Sequence, residues 1–336
     1  MGVVHNLTVL LLTRIGVGVF EAPCFPANSR VLATWFPQHE RARANSIYSV
    51  GQYAGIAFLS VPLFWITQRF GWRGLFFIAG GFGVALGIVF WALYREPSAD
   101  PAVNDAEITY IEAGGGGEYK GARTAFSWSD IGRLLRHRQI VGASIGQFGG
   151  NSTQVFFVTW FPTYLVNVRG MSFINAGLMT MLPYIGASIG VLVAGQISDR
   201  LLKKTGSANL ARKLPIVGGM LLASTIIAAN FVPAGADALV ICIMSVAFFG
   251  QGMTNLGWTV ISDVAPKELI GLTAGIFNFS ANLAGIVTPL VIGFAYQSTG
   301  SFFGPLIYIG VVALIGAFSY SVILGDIHRL TVDRSR

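Results

Sequence analysis

Charge is what this sequence has least of. Asp, Glu, Lys and Arg make up 11% of its 336 residues, less than half the roughly 25% of an ordinary soluble domain. A chain this long cannot clothe a water-facing surface with so few charges, which excludes a typical soluble enzyme and a disordered protein. Cysteine is nearly missing as well. Cys24 and Cys242 both lie inside apolar stretches, so a disulfide scaffold is excluded and two free, buried thiols are expected. The four histidines fall in loops or at the ends of apolar runs. With no His, Cys and acid cluster inside those runs, neither a metal nor a cofactor is expected. Acids are the scarcer charge, 15 against 22 bases, for a net charge of +7. That balance does not call for a nucleic-acid partner, because bases also collect on the loops of membrane proteins.

What is present is apolar sequence, 53% of the chain, with a mean hydropathy of +0.64. A bilayer core needs roughly 20 apolar residues in a helix. Nine stretches meet that length: 7–33, 43–68, 73–94, 139–166, 173–197, 213–232, 237–262, 269–295 and 303–325. They lack the alternation of barrel strands, and backbone groups in lipid must be satisfied within the segment, so helices are expected. The fold class is therefore an all-α membrane bundle, with the lipid bilayer as its solvent.

The bases orient it. With alternating spans, eighteen of the 22 Lys and Arg gather on one side, Lys120, Arg123, Arg334 and Arg336 among them. Three (Arg69, Arg73 and Arg169) fall on the other, and Arg14 lies within a span. The richer side is the cytoplasmic one, which puts the N-terminus outside and the C-terminus inside. Residues 1–94 then form a three-helix bundle, 95–138 a cytoplasmic linker, 139–325 a six-helix bundle and 326–336 a cytoplasmic tail. The linker carries Gly114–Gly117 and a basic segment, Asp130–Arg138. A phosphate-binding loop is the sharper reading of the glycines, but no Lys-Ser/Thr follows and no strand precedes them, so they read as a flexible run. The basic segment is suited to lie along the membrane surface.

An internal repeat is visible. Pro37 and Gln52-Tyr-Ala-Gly55 correspond to Pro266 and Asn282-Leu-Ala-Gly285 at offsets of 229 and 230. Repeats of this kind are common in transporters. A six-span unit implies a twelve-span architecture, in which these nine are the last three spans of one half and all six of the other, so three further spans are expected before Met1. A second marker is Gly195-Gln-Ile-Ser-Asp199-Arg200-Leu-Leu-Lys203-Lys204. Gly195 permits close helix approach, while Asp199 and Arg200 with their basic neighbours are suited to latch helix ends together. A motif of this form resembles the loop between the second and third helices of a half in the major facilitator superfamily.

The first span narrows the resemblance. Arg14-Ile-Gly-Val-Gly-Val-Phe-Glu21-Ala-Pro23-Cys-Phe-Pro26, then Trp35-Phe-Pro37-Gln-His-Glu40-Arg41, then Trp160-Phe-Pro162 and Ala211-Arg-Lys-Leu-Pro215, are similar to the anion:cation symporter family, and within it to proton-coupled transporters of galactonate, glucarate and hexuronates. The resemblance covers almost the whole chain. It implies alternating access, a sugar-acid anion and protons as the partners, and a multi-pass inner-membrane location; a monomer is the default expectation.

Only Arg14 and Glu21 are charges deep in the runs. An intramembrane charge faces a bundle interior or a cavity, and seven residues place both on one helix face about 10 Å apart. A low-dielectric interior makes a carboxyl hold its proton and a nearby guanidinium makes it let go, which is what a proton carrier needs. A structural ion pair is the plainer reading. The resemblance implies the first, with Arg14 as the partner of Glu21. Uncharged polar residues are the other signal. Gln52 lies mid-span; Gln147, Asn151 and Gln154 form one helical stripe; Asn255 pairs with Trp258, and Asn278 with Asn282. Amides both donate and accept, as a hydroxylated anion requires, although interhelical hydrogen bonds use the same residues. The resemblance implies substrate contact at Gln52, Trp258 and Asn278. Pro23 and Pro26 are expected to break the first helix, and the glycine pairs Gly83/Gly87, Gly142/Gly146/Gly150, Gly186/Gly190 and Gly271/Gly275 to let helices pack closely. Two other readings stand beside transport: a non-transporting fragment, and a membrane-embedded enzyme, which the single deep acid disfavours.

Overall fold

A computed structural model describes residues 1–118 and 127–331. The basic positions Lys120, Arg123, Arg334 and Arg336 lie outside them, as does part of the linker and of the tail. Every regular element among the described residues is helical. The first span is α1 (Leu7–Glu21) and α2 (Cys24–Trp35), which part at Ala22–Pro23. The proline ring removes a backbone donor there, while Pro26 sits in the first turn of α2, where that donor would be idle anyway. The second and third spans run as α3 (Arg41–Leu93), interrupted at Gly71, whose φ of 70° leaves the helical region.

The linker holds α4 (Asp105–Ala113) and α5 (Trp128–Leu134). The stretch expected as a six-helix bundle contains α6 (Arg138–Thr159) with a short α7 (Phe161–Asn167) after it, α8 (Phe173–Thr205), α9 (Ala208–Ser224) with a 3-10 extension to Phe231, α10 (Asp237–Met253), a 3-10 turn leading into α11 (Gly257–Val264), α12 (Ile270–Thr299) and α13 (Phe303–Phe318). Residues 195–204, expected as a loop motif, are instead the last three turns of α8. That helix stops only at Gly206, whose φ of 65° supplies the left-handed cap, with Lys203 and Lys204 at its negative end.

Among the described residues, seven helical segments are long and apolar enough to cross a membrane: Leu7–Trp35, Trp65–Leu93, Asn175–Thr205, Ala208–Phe231, Asp237–Val264, Lys267–Thr299 and Phe303–Ile323. The expected stretch 43–68 is helical within α3; the expected stretch 139–166 is helical but falls short of that measure, because α6 spends positions on Gln147, Asn151, Ser152, Thr153 and Gln154.

The core belongs to the second half. One buried cluster centres on Phe156, Phe157, Phe161 and Phe248, another on Trp258, Phe277, Met220 and Tyr320; Tyr53, Ala57 and Ala42 are the buried residues that α3 adds to them. Lipid is as apolar as leucine, so close van der Waals contact decides which helices associate. The glycines divide on this point. A Cβ at Gly190 would stand 2.1 Å from the Phe249 carbonyl oxygen, and one at Gly142 would stand 2.5 Å from the Leu324 nitrogen. Gly146, Gly150 and Gly186 are equally hemmed in. Gly83, Gly87, Gly271 and Gly275 meet nothing within 4 Å, so close packing does not extend to them: the first three lie on exposed faces, and Gly275 borders a cavity. The cysteines also depart from expectation. Both are free, but Cys24 and Cys242 are exposed on the outside of the bundle, because an apolar neighbourhood in a membrane chain marks a lipid-compatible face as readily as a core.

Candidate functional site

The polar residues of five helices meet in a single cavity of about 660 Å³ between the halves. α1 brings Glu21, α3 brings Gln52, and α6 brings the stripe Gln147, Asn151 and Gln154. The segment after α10 supplies Asn255 and α11 Trp258, while α12 supplies Asn278 and Asn282. All eight amide and tryptophan positions expected from sequence are therefore brought together, along with Glu21. The helix whose hydropathy is too low to count as a span, α6, is the one that carries the stripe.

Hydrogen bonds set what each group still offers. Asn151 Nδ2 donates to the Ala281 carbonyl. Asn282 Nδ2 donates to the carbonyl of Asn278 at 2.9 Å and to its side-chain Oδ1 at 3.2 Å. Asn278 Nδ2 reaches the Ala22 carbonyl at 3.1 Å, a bond between the halves. Gln52 and Gln147 have no side-chain partner among the described residues, so both keep a complete amide for a ligand. Trp258 stacks on Phe25 from the other half, centroids 5.0 Å apart, with Phe277 edge-on at 4.8 Å. Glu21 is the one charged residue in the cavity lining among the described residues. Arg14 lies exposed on α1, does not line the cavity and forms no ion pair with Glu21 among the described residues.

A second constellation closes the linker end of the bundle. Gly195 lets α8 lie against α3, since a Cβ there would be 2.1 Å from Ser46 Oγ. One turn on, Asp199 accepts from Arg212 at 3.0 Å and caps the start of α3 by accepting from the Arg43 backbone N–H at 2.7 Å. Arg212 also holds Asp263 at 3.0 Å, and Asp263 accepts from Arg41 at 2.8 Å. Two arginines and two aspartates thus balance inside the protein, each at most 6% exposed. Arg41 and Arg43 come from the first half; Asp199, Arg212 and Asp263 come from the second. Arg200 is not part of this cluster. It is exposed and faces a separate pocket with Lys203, since adjacent residues on a helix point about 100° apart. Asp199 therefore takes Arg212, fourteen sequence positions from Ser198 and from another helix, as its partner rather than its basic neighbours.

The linker glycines are docked rather than loose. Gly115 O accepts from Arg41 at 2.9 Å and Gly116 O from Lys267 at 3.1 Å, one cation from each half. Gly114 O accepts from the Gln38 backbone N–H at 2.8 Å, and a Cβ on Gly114 would be 2.2 Å from Pro37. Nearby, Tyr110 of α4 donates to Glu40 at 2.7 Å, and this bond to a carboxylate raises the phenol above its ordinary range. Arg41, Arg212 and Asp263 were not singled out from sequence as a cluster. The available signal was a charge at the very edge of each of three apolar runs: Arg41 before 43–68, Arg212 before 213–232 and Asp263 after 237–262. Gln251, four residues before Asn255 in an otherwise apolar helix, was a further polar stripe that went unread.

A wet cavity lined by amides between two halves of an apolar helical bundle is the architecture of a membrane carrier. Residues 1–289 match the model of the Major Facilitator Superfamily, and the chain belongs to that family. It is a multi-pass membrane transporter by fold, and the family is not one of enzymes. It is 43% identical to the probable galactarate/D-glucarate transporter GudP of Escherichia coli over 96% of this chain and 73% of that protein. It is 40% identical to the D-galactonate transporter of Escherichia coli over 98% of this chain and 77% of that one. The solved proton:xylose symporter XylE superposes with a TM-score of 0.63 at 14% identity, covering 89% of this chain and 67% of that chain, a likeness of fold.

Proposed function

We propose that this chain is a proton-coupled symporter of an organic anion, a sugar acid, working by alternating access in the bacterial inner membrane. In this reading its nine helical stretches all span the bilayer, its C-terminus is cytoplasmic, and it acts as a monomer. The observation that carries the reading is the pairing of unpartnered amides with one carboxylate in the inter-half cavity. Gln52 and Gln147 each offer both donors and an acceptor, Asn151 and Asn282 keep their side-chain oxygens, and Asn278 and Trp258 join the halves around the ligand. A polyol chain ending in a carboxylate matches such a lining. The relatives named for galactarate, glucarate and galactonate support the same class.

Glu21 carries the proton. It is the only titratable acid among the lining residues, so its neutralisation and the arrival of the anion are coupled through one small volume. Arg14, seven residues back on the same helix, is the cation that α1 would turn toward the cavity to hold the substrate carboxylate and release the proton. Gly195, Asp199 and their partner Arg212, with Arg41 and Asp263, latch the cytoplasmic end while the cavity exchanges with the other side. Rocking of the halves breaks the bonds that cross between them.

Uptake of labelled D-galactonate and D-glucarate into proteoliposomes, with and without an inward proton gradient, tests this. Gradient-driven uptake is expected from the unaltered chain, and Glu21→Gln is expected to keep exchange but lose the response to the gradient. Full gradient response in Glu21→Gln would overturn the coupling role. A second reading, binding without transport, is favoured by the absence of a cation from the described cavity lining and by α1, which buries none of its residues; saturable binding with no uptake distinguishes it.

A further inference from the structure

Behind the cavity wall lies a directed chain of hydrogen bonds with one hydroxyl at its centre. Tyr53 on α3 is wholly buried. It accepts from Asn255 Nδ2 at 2.6 Å and donates to Gln251 Oε1 at 2.9 Å. Gln251 Nε2 in turn donates to Gln154 Oε1 at 3.4 Å. The Asn255 main chain is held from the same side, its carbonyl accepting from Asn45 Nδ2 at 3.1 Å.

The direction of this chain dictates what the cavity sees. A tyrosine hydroxyl has one proton, and here it goes to Gln251. Asn255 must therefore turn its Nδ2 toward Tyr53, which leaves Oδ1, an acceptor, for the cavity. Gln154 has its oxygen engaged and is left with Nε2, a donor. Thr254, which also lines the cavity, spends its proton on the Gln251 carbonyl at 2.7 Å. Amide ends are nearly identical in shape, but the single Tyr53 proton ties Gln251 and Asn255 to opposite senses: one accepts from the hydroxyl and the other donates to it.

We propose that Tyr53 is a positioning residue that sets the donor and acceptor pattern of the cavity, and so decides which hydroxyl arrangement of a polyhydroxylated carboxylate is accepted. This rests on the reading of the cavity as the substrate site. Tyr53 belongs to one half and Asn255 and Gln251 to the other, so the pattern is complete only when the halves meet around Tyr53. A site committed to hydrogen-bonding a hydroxyl rejects an analogue that lacks it, because its own buried polar groups are then unpaired.

Tyr53→Phe is the direct test. The ring packs edge-on against Phe248 at 5.7 Å, and phenylalanine keeps that contact. Equilibrium binding of labelled D-galactonate to the purified full chain would be competed with its monodeoxy analogues. The unaltered chain is expected to prefer the full polyol over at least one analogue, and Tyr53→Phe to shrink that preference by roughly tenfold or more, with little change in Tm. Gln251→Met, which removes the acceptor of the Tyr53 proton, is expected to shrink the same preference and serves if Tyr53→Phe does not fold. Asn255→Ala and its combination with Tyr53→Phe should lose no more together than the larger single loss, since Tyr53 acts through Asn255. Unchanged preference in Tyr53→Phe, or additive losses in the double variant, overturns the positioning role while leaving the substrate reading intact. Failure of the unaltered chain to bind any polyhydroxylated acid overturns both.

Discussion

Two spans of this protein have the same mean hydropathy, 2.2, and opposite surroundings: Trp65–Leu93 in the first half buries none of its most apolar stretch, while Phe303–Ile323 in the second buries 50% of its own. Phe82 and Trp91 stand 67% and 81% exposed on the one, whereas Leu306 and Ile309 are fully enclosed on the other. Hydropathy records that a side chain avoids water. It does not record whether it meets lipid or protein, and in a membrane those alternatives differ little in transfer energy. The first half meets the second where α3 lies along α8 and α2 lies on α11 and α12, with specific contacts such as Gly195 against Ser46, Arg41 on Asp263 and Tyr53 on Gln251. The carboxylate proposed to move the proton sits on the loosely packed side, and most of the amides proposed to hold the substrate sit on the firmly packed one. A mobile carrier of charge facing a rigid reader of hydroxyls is a sensible division for alternating access.

The sharpest way to break this contrast is at the shared charges. Asp263→Ala leaves Arg41 and Arg212 buried without their carboxylate and is expected to cost about 3–5 kcal/mol, read as a large fall in the thermal midpoint of the detergent-solubilised chain. A midpoint within a degree or two of the parent would mean that the halves are held elsewhere. Next in size is a glycine at a crowded crossing. Gly190→Ala places a methyl 2.1 Å from the Phe249 carbonyl and is expected to destabilise by roughly 1–3 kcal/mol, because backbone rather than a flexible side chain must give way. The smallest effect is expected at Gly83→Ala in the first half, where nothing lies within 4 Å. There the helix should be unchanged or steadier by about 1 kcal/mol or less. Equal losses at Gly83 and Gly190 would show that the first half is packed after all.

Much of this was legible in the residues. Periodic runs of apolar sequence located every membrane-length helix within a few positions, since a helix in lipid needs a fixed length and tolerates few charges. Gln52, the stripe from Gln147 and the Asn278/Asn282 pair announced themselves because a polar group in such a run must find water, a ligand or a partner. The glycine pairs did not sort themselves: Gly186/Gly190 and Gly83/Gly87 have the same spacing, and only the neighbour across the gap distinguishes a crossing from an open face. The cysteines misled for the same reason. Asp199 was legible as a charge near a helix end, but its partner was not, because pairing with Arg212 depends on where α9 starts beside α8.

By itself, then, the sequence determined the solvent of this protein, its helices, the family to which it belongs and the set of polar residues that had to be sheltered together. Those follow from local chemistry, the number of apolar residues in a row and the cost of a buried amide. The tertiary structure alone decided which amide ends face the cavity, which arginine balances which aspartate, that the linker glycines lie docked between Arg41 and Lys267, and that Arg14 stands outside the cavity that Glu21 enters. Each of these is a relation between residues far apart in the chain, set by distances and directions of a few ångströms that no spacing along one helix encodes.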